Sequence, residues 1–271
     1  MYRLLIVTDE QRVKDMFSSM EGWEAMGIKP PRLRSSVEEA VECMHKHPID
    51  AIAMDDAPAF EALYAYLDEH YPDMPIFQIE RTAQEQLQTV REASSLLTRL
   101  KADDSNDEYD DTHKLDLQRE RWLRKVIGGL IPTAGDLARQ LRLYRCDTRL
   151  GVPCVLARLG LSVDDSFLAD RWHYGSERLE IALRNFFGRE HGGMRIHVAV
   201  VSQEEVRVLC YPLSLEDGVS ENAAYEYIQE TVDQIQHYLG LSLKVLETRR
   251  LPGLEAFAAD GGNPYAPSGI V

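Results

Sequence analysis

Met1-Tyr-Arg-Leu-Leu-Ile-Val-Thr-Asp-Glu10 and Ile49-Asp-Ala-Ile-Ala-Met-Asp-Asp56 are the stretches that decide the first half of the fold. Each is a short apolar run that stops at carboxylates. A run of this length between polar residues reads as a buried strand. Two such strands with helical patterns between them read as neighbours in a parallel sheet. Their carboxylates then gather at one edge of that sheet, where open α/β sheets bind ligands.

Outward from these runs, the first hundred residues alternate. Leu4–Val7 precedes a helical stretch at Gln11–Met20, and Lys29–Leu33 forms a short strand. Ser36 has the position of an N-cap for a helix over Val37–His45, with Glu39 at the capping-box position. A strand at Ala51–Met54, a helix at Ala59–Glu69, a strand at Pro75–Ile79 and a helix at Ala83–Leu100 complete the pattern. The expected fold is α/β, a flavodoxin-like doubly wound parallel sheet over residues 1–100.

Charge limits the functions to be considered. The chain has 271 residues, a soft prior for two domains, and a net charge of -15. Nucleic-acid binding draws on a basic face, and no basic run longer than a few residues occurs. A DNA-reading module is therefore expected to lie outside this chain. No apolar run reaches the roughly 18–20 residues of a membrane span, and the N-terminus predicts no secretory leader. Cys43, Cys146, Cys154 and Cys210 form no C-x-x-C pair. That argues against a zinc site or a disulfide scaffold and for a cytoplasmic protein.

Six of the nine residues from Asp103 to Asp111 are acidic. A block of like charge repels itself, so residues 101–113 read as an acidic linker. Residues 114–260 read as a helical connector followed by a second domain. Leu115, Leu117, Trp122, Leu123, Val126, Ile127 and Leu130 form one apolar stripe, and Thr133 caps a second helix over Leu137–Tyr144. Then come a strand at Pro153–Leu161, a helix at Ser166–Phe187, strands at Arg195–Val201 and Glu205–Tyr211, a helix at Glu221–Leu239 and a strand at Leu241–Glu247. Ser202-Gln-Glu joins the middle strands as a hairpin. The order β-α-β-β-α-β is that of a ferredoxin-like α+β domain. Residues 261–271, rich in Gly and Pro, read as a flexible tail.

The chain resembles response regulators of the YesN/AraC type over nearly its whole length. Trp23-Glu-Ala-Met-Gly27-Ile28 is similar to that family's turn after the first helix. Val37-Glu-Glu-Ala-Val41 and Tyr71-Pro-Asp-Met-Pro-Ile76 fall at its second helix and fourth strand. The resemblance implies a receiver, a middle domain like a degenerate nucleotide cyclase, and a C-terminal DNA-binding domain. The third is not found here. It further implies a sensor histidine kinase as partner, transcription control and a homodimer.

Carried onto this sequence, the resemblance makes Asp55 the phosphoacceptor, five residues after Asp50 of Pro48-Ile-Asp50. Asp9 and Asp55 become the candidate ligands for Mg²⁺. Other positions depart from the pattern. Thr8 replaces one carboxylate of an acidic pair, Glu80 stands at the switch position in place of a hydroxyl, and Pro58 arrives one residue early. The expected lysine is missing, with Lys101 the nearest substitute. A carboxylate at position 80 would repel a phosphoryl group, and electrostatic stabilisation is a large catalytic term. A pseudo-receiver that works by protein association is therefore expected, with no catalytic residues and no enzymatic activity. The alternatives are a phosphorylation-competent receiver and a nucleotide-binding or cyclase-like enzyme.

The cyclase alternative is weak on its residues. The hairpin Val201–Val206 carries Glu204 and Glu205 but no glycines, so its backbone cannot approach a nucleotide closely. Asp164 and Asp165 read as a helix cap. Gly128-Gly129 and Gly192-Gly193 lack a phosphate-loop pattern, and His45 and His47 read as surface residues.

Overall fold

The computed structural model describes residues 1–55, 58–104, 114–131, 133–146, 148–161, 175–214 and 218–258. Residues 105–113, the pair Asp164-Asp165 and the tail from residue 259 lie outside them. The chain divides into two compact units: Met1–Glu120 with Ala138–Asp147, and Arg121–Leu137 with Thr148–Val271.

The first unit holds a four-stranded parallel sheet. Its strands are β1 (Leu4–Val7), β2 (Arg32–Arg34), β3 (Ala51–Met54) and β4 (Ile76–Gln78), in the order β2-β1-β3-β4. Every residue of β1 and β3 is buried, as expected of strands covered on both faces. On one face Leu5, Val7, Ile52, Met54 and Ile76 pack with Cys43 and Met44 of α2 (Val37–Lys46) and with Leu63 and Leu67 of α3 (Glu61–His70). α1 (Gln11–Ser19) follows β1, and α4 (Ala83–Asp104) follows β4. No fifth parallel strand appears among the described residues.

Local chemistry sets the boundaries. The Ser36 side chain caps α2 by accepting the Glu39 N–H, while the Glu39 carboxylate accepts the Ser35 N–H at 2.9 Å. β2 begins three residues later than its sequence suggests. Pro30 and Pro31 have no N–H to give a ladder, and pairing resumes at Leu5↔Arg32. The Trp23–Ile28 turn holds one 3-10 turn, Glu24–Met26, and closes on Gly27 at φ 70°. Glycine takes this left-handed conformation without Cβ crowding. Trp23 stacks on Phe17 at 6.3 Å, and the Ser94 hydroxyl donates to the Met26 carbonyl at 2.7 Å.

The second unit holds a five-stranded antiparallel sheet: β5 (Cys154–Leu161), β6 (Glu190–His191), β7 (Met194–Val200), β8 (Glu205–Pro212) and β9 (Leu243–Leu251). Its order is β6-β7-β8-β5-β9, so β8 is inserted between β5 and β7. Alternate residues of β5, β7 and β8 (Val155, Ala157, Ile196, Val198, Val208, Cys210) form a core with α7 (Gly175–Phe187) and α8 (Glu221–Leu239). Two further helices, α5 (Lys114–Ile127) and α6 (Ala134–Leu143), are each divided between the units, with Arg121–Ile127 and Ala134–Leu137 in the second. Thr133 caps α6, accepting the Asp136 N–H at 3.0 Å, so the helix starts three residues before the apolar pattern does. No helix of the described residues is long and apolar enough to cross a membrane.

One buried charge ties this unit together. Glu180 of α7 is 2% exposed. It accepts from Arg124 Nη2 at 2.6 Å, Arg184 Nη2 at 2.9 Å and the Val200 N–H at 3.0 Å. A carboxylate taken out of water holds only if donors replace the water. Glu180→Gln keeps the shape and removes the charge. Urea denaturation of the variant should show a stability loss of about 3 kcal/mol.

Candidate functional site

The ends of β1 and β3 come together as their sequences suggest. The ladder runs Leu4↔Ala51 to Val7↔Met54, so Thr8 and Asp55 are the next residues on adjacent strands. Thr8 is fully buried, and its hydroxyl donates to Asp55 Oδ2 at 2.7 Å. The Thr8 hydroxyl oxygen in turn accepts the Glu10 N–H at 3.2 Å. A hydroxyl has one proton, and here Asp55 receives it. An aspartate at position 8 would put two carboxylates at hydrogen-bond distance, an arrangement that needs a cation or a proton between them. Threonine stabilises the corner as a neutral donor.

Asp9 is exposed directly after β1. Asp56 and Ala57 lie outside the described residues, and the chain resumes in a 3-10 turn at Pro58–Phe60. Lys101 is exposed in the last turn of α4. Among the described residues no group of three or more His, Cys, Asp or Glu side chains could hold a metal ion.

Glu80, expected at the switch position, faces hydroxyl and amide chemistry. Its carboxylate accepts the Thr89 hydroxyl of α4 at 2.9 Å. Its N–H donates to the Gln86 side-chain oxygen at 2.7 Å. Gln86 is fully buried. Thr89 and Gln86 lie at i and i-3 on α4, and nothing in their spacing announces Glu80 as the target. Asp50 closes the other end of β3, where its carboxylate accepts the Arg3 N–H at 2.6 Å. It is a clamp between strands, consistent with its place at the strand start.

In the second unit the hairpin glutamates have separate roles. Glu204 is exposed in the turn, and its carbonyl accepts the Leu161 N–H at 2.8 Å. Glu205 is held by Arg158 at 2.9 and 2.8 Å and by Arg207 at 2.7 Å. Arg158 and Arg207 sit directly opposite each other on β5 and β8. Two like charges in that position repel, and Glu205 between them removes the repulsion. Arg207 also donates to the Ile127 carbonyl at the end of α5, at 2.8 Å, where a helix end favours a cation. These guanidiniums leave Glu205 engaged in structure. The sequence carried a signal for this: Arg158 and Arg207 are the charged residues set inside otherwise apolar strands.

His197 of β7 lies on the face opposite the core residues Ile196 and Val198. Its Nε2 is enclosed and has no hydrogen-bond partner among the described residues. Burial lowers its pKa to about 4, with Arg195 and Arg184 adding to the effect. No protein-family model matches the chain, and no curated protein sequence matches it.

Two outcomes follow. Thr8→Val should lose about 1–3 kcal/mol in denaturant titration, because the buried Thr8 hydroxyl bond to Asp55 is removed, while Thr8→Ser stays near the parent. Acid unfolding should proceed in two stages. His197 has a depressed folded pKa, so its contribution is complete above the unfolded value of 6.5 and is lost as pH falls towards about 4. Glu205 is held down to about 2, chiefly by the Arg158 hydrogen bonds. Its contribution is complete above 4.5 and is lost between 4.5 and about 2. His197→Asn should flatten the first stage alone in a series of midpoints against pH.

Proposed function

We propose that the chain is a cytoplasmic signal-transduction protein of the response-regulator type. Its first unit is read as a flavodoxin-like receiver that has lost phosphoryl chemistry and acts by protein association. Its second unit is read as a ferredoxin-like, degenerate cyclase-like domain. In this reading a sensor histidine kinase and a second copy of the chain are the partners. Transcription is controlled through a DNA-binding module outside these residues.

The observation that carries the reading is the 2.7 Å hydrogen bond from Thr8 to Asp55. It satisfies the candidate acceptor with a neutral group on the neighbouring strand. Phosphoryl transfer to a carboxylate needs positive charge at the transferring group, and Lys101 is exposed at the far end of α4. Glu80 adds negative charge at the switch position. In the second unit, Glu205 is bound by two arginines, which supports a structural hairpin over a nucleotide site.

The test is incubation of the full chain with acetyl phosphate and Mg²⁺, followed by intact mass measurement. The expected result is no phosphorylated species. A phosphorylated species that disappears in Asp55→Ala would overturn the reading and establish the phosphorylation-competent receiver instead.

A further inference from the structure

The two edges of the second unit's sheet are built differently. β6 is two residues long, and so short an edge offers little backbone to a visiting strand. β9 forms the opposite edge with nine residues. It pairs with β5 along one side. Along the other, none of its backbone groups is hydrogen-bonded among the described residues.

Three of the four exposed side chains of β9 are basic. Lys244, Arg249 and Arg250 are exposed, and no described residue pairs with them. Glu247 is turned to Arg158, at 3.5 Å. A basic strand on a chain of net charge -15 is a local exception. Beside it lies a groove of about 300 Å³ between α8 and β9, lined by Tyr225, Val245, Leu246 and Thr248 with Asn222 and the carboxylates of Glu221 and Glu247 at its sides, so it suits the apolar and not the acidic side chains of a visitor. Tyr225 is 45% and Leu246 53% exposed, so two large apolar surfaces remain in water. The Thr248 hydroxyl is enclosed and has no partner.

We propose that β9 takes up an extended acidic segment of a partner protein as an added strand. Main-chain hydrogen bonds to the open edge would supply affinity, and the groove would receive alternate apolar side chains. The acidic side chains would meet Lys244 and Arg249, which share the face of the sheet away from the core. Charge argues against a second copy as the occupant. Lysine and arginine on an edge strand are a known means of blocking self-pairing. The proposal concerns the second unit alone and does not rest on the phosphorylation chemistry of the first.

The test uses the full chain and a fluorescent peptide alternating valine and glutamate, read by anisotropy. A saturable signal is expected, at least about tenfold tighter than for the peptide with lysine in place of glutamate. N-methylation of alternate peptide amides should abolish it, since strand addition needs those donors. Lys244→Glu with Arg249→Glu should weaken it about tenfold and reverse the preference between the two peptides. Both residues are exposed, and circular dichroism checks that the variant folds. Tyr225→Ala, on a different element, should weaken the acidic peptide without reversing that preference. Three results would overturn the proposal: no binding of the acidic peptide, binding indifferent to N-methylation, or sedimentation showing that β9 pairs with a second copy instead.

Discussion

A carboxylate withdrawn from water must find a donor, and the whole chain is arranged around that requirement. Asp50 takes a backbone N–H of Arg3. Asp55 takes the Thr8 hydroxyl, and Glu80 takes that of Thr89. Glu180 takes two guanidiniums and the Val200 N–H. Glu205 takes Arg158 and Arg207. For the buried Glu180 the cost of leaving it unanswered is of the order of a few kcal/mol, a large share of a domain's net stability.

That choice of donors separates structure from reactivity. An acidic corner held by metal is poised for charge to arrive and leave. One held by a buried threonine is already in balance. The same holds in the second unit, where the hairpin glutamate best placed for chemistry is also the bridge between two opposed arginines. Removing it would set Arg158 against Arg207 across adjacent strands. In the reading proposed above both sites are taken up by structure, and among the described residues the basic edge of β9 is the surface left for a partner.

Helix ends and strand interiors were readable from single residues. Ser36, Thr133 and Ser220 each cap the helix that follows them, because a short side chain with an oxygen answers the first unpaired N–H groups wherever it stands. α8 has the span its sequence suggests, Glu221–Leu239, with Ser220 before it and Gly240 at φ 74° after it. β9 was harder. Its sequence pattern suggests an end near Glu247, yet pairing continues to Leu251. The ladder with β5 shifts register between Arg158 and Leu159, leaving Leu246 without an opposite partner. A bulge breaks the two-residue alternation by which a strand is recognised.

The chain's local chemistry thus sufficed for the two strand runs that end in Asp9 and Asp55, the helix caps, the hairpin and the sign of the surface charge. Each depends on neighbours a few residues apart. Which carboxylate meets which donor was decided only by tertiary structure. Thr8 and Asp55 are 47 residues apart, and Arg158 and Glu205 equally so. Arg124 and Glu180 are separated by 56. Hydrogen bonds at such separations follow from strand order and register, which no local pattern encodes. The open edge of β9 has the same origin, since a strand is an edge only by virtue of what the rest of the sheet leaves beside it.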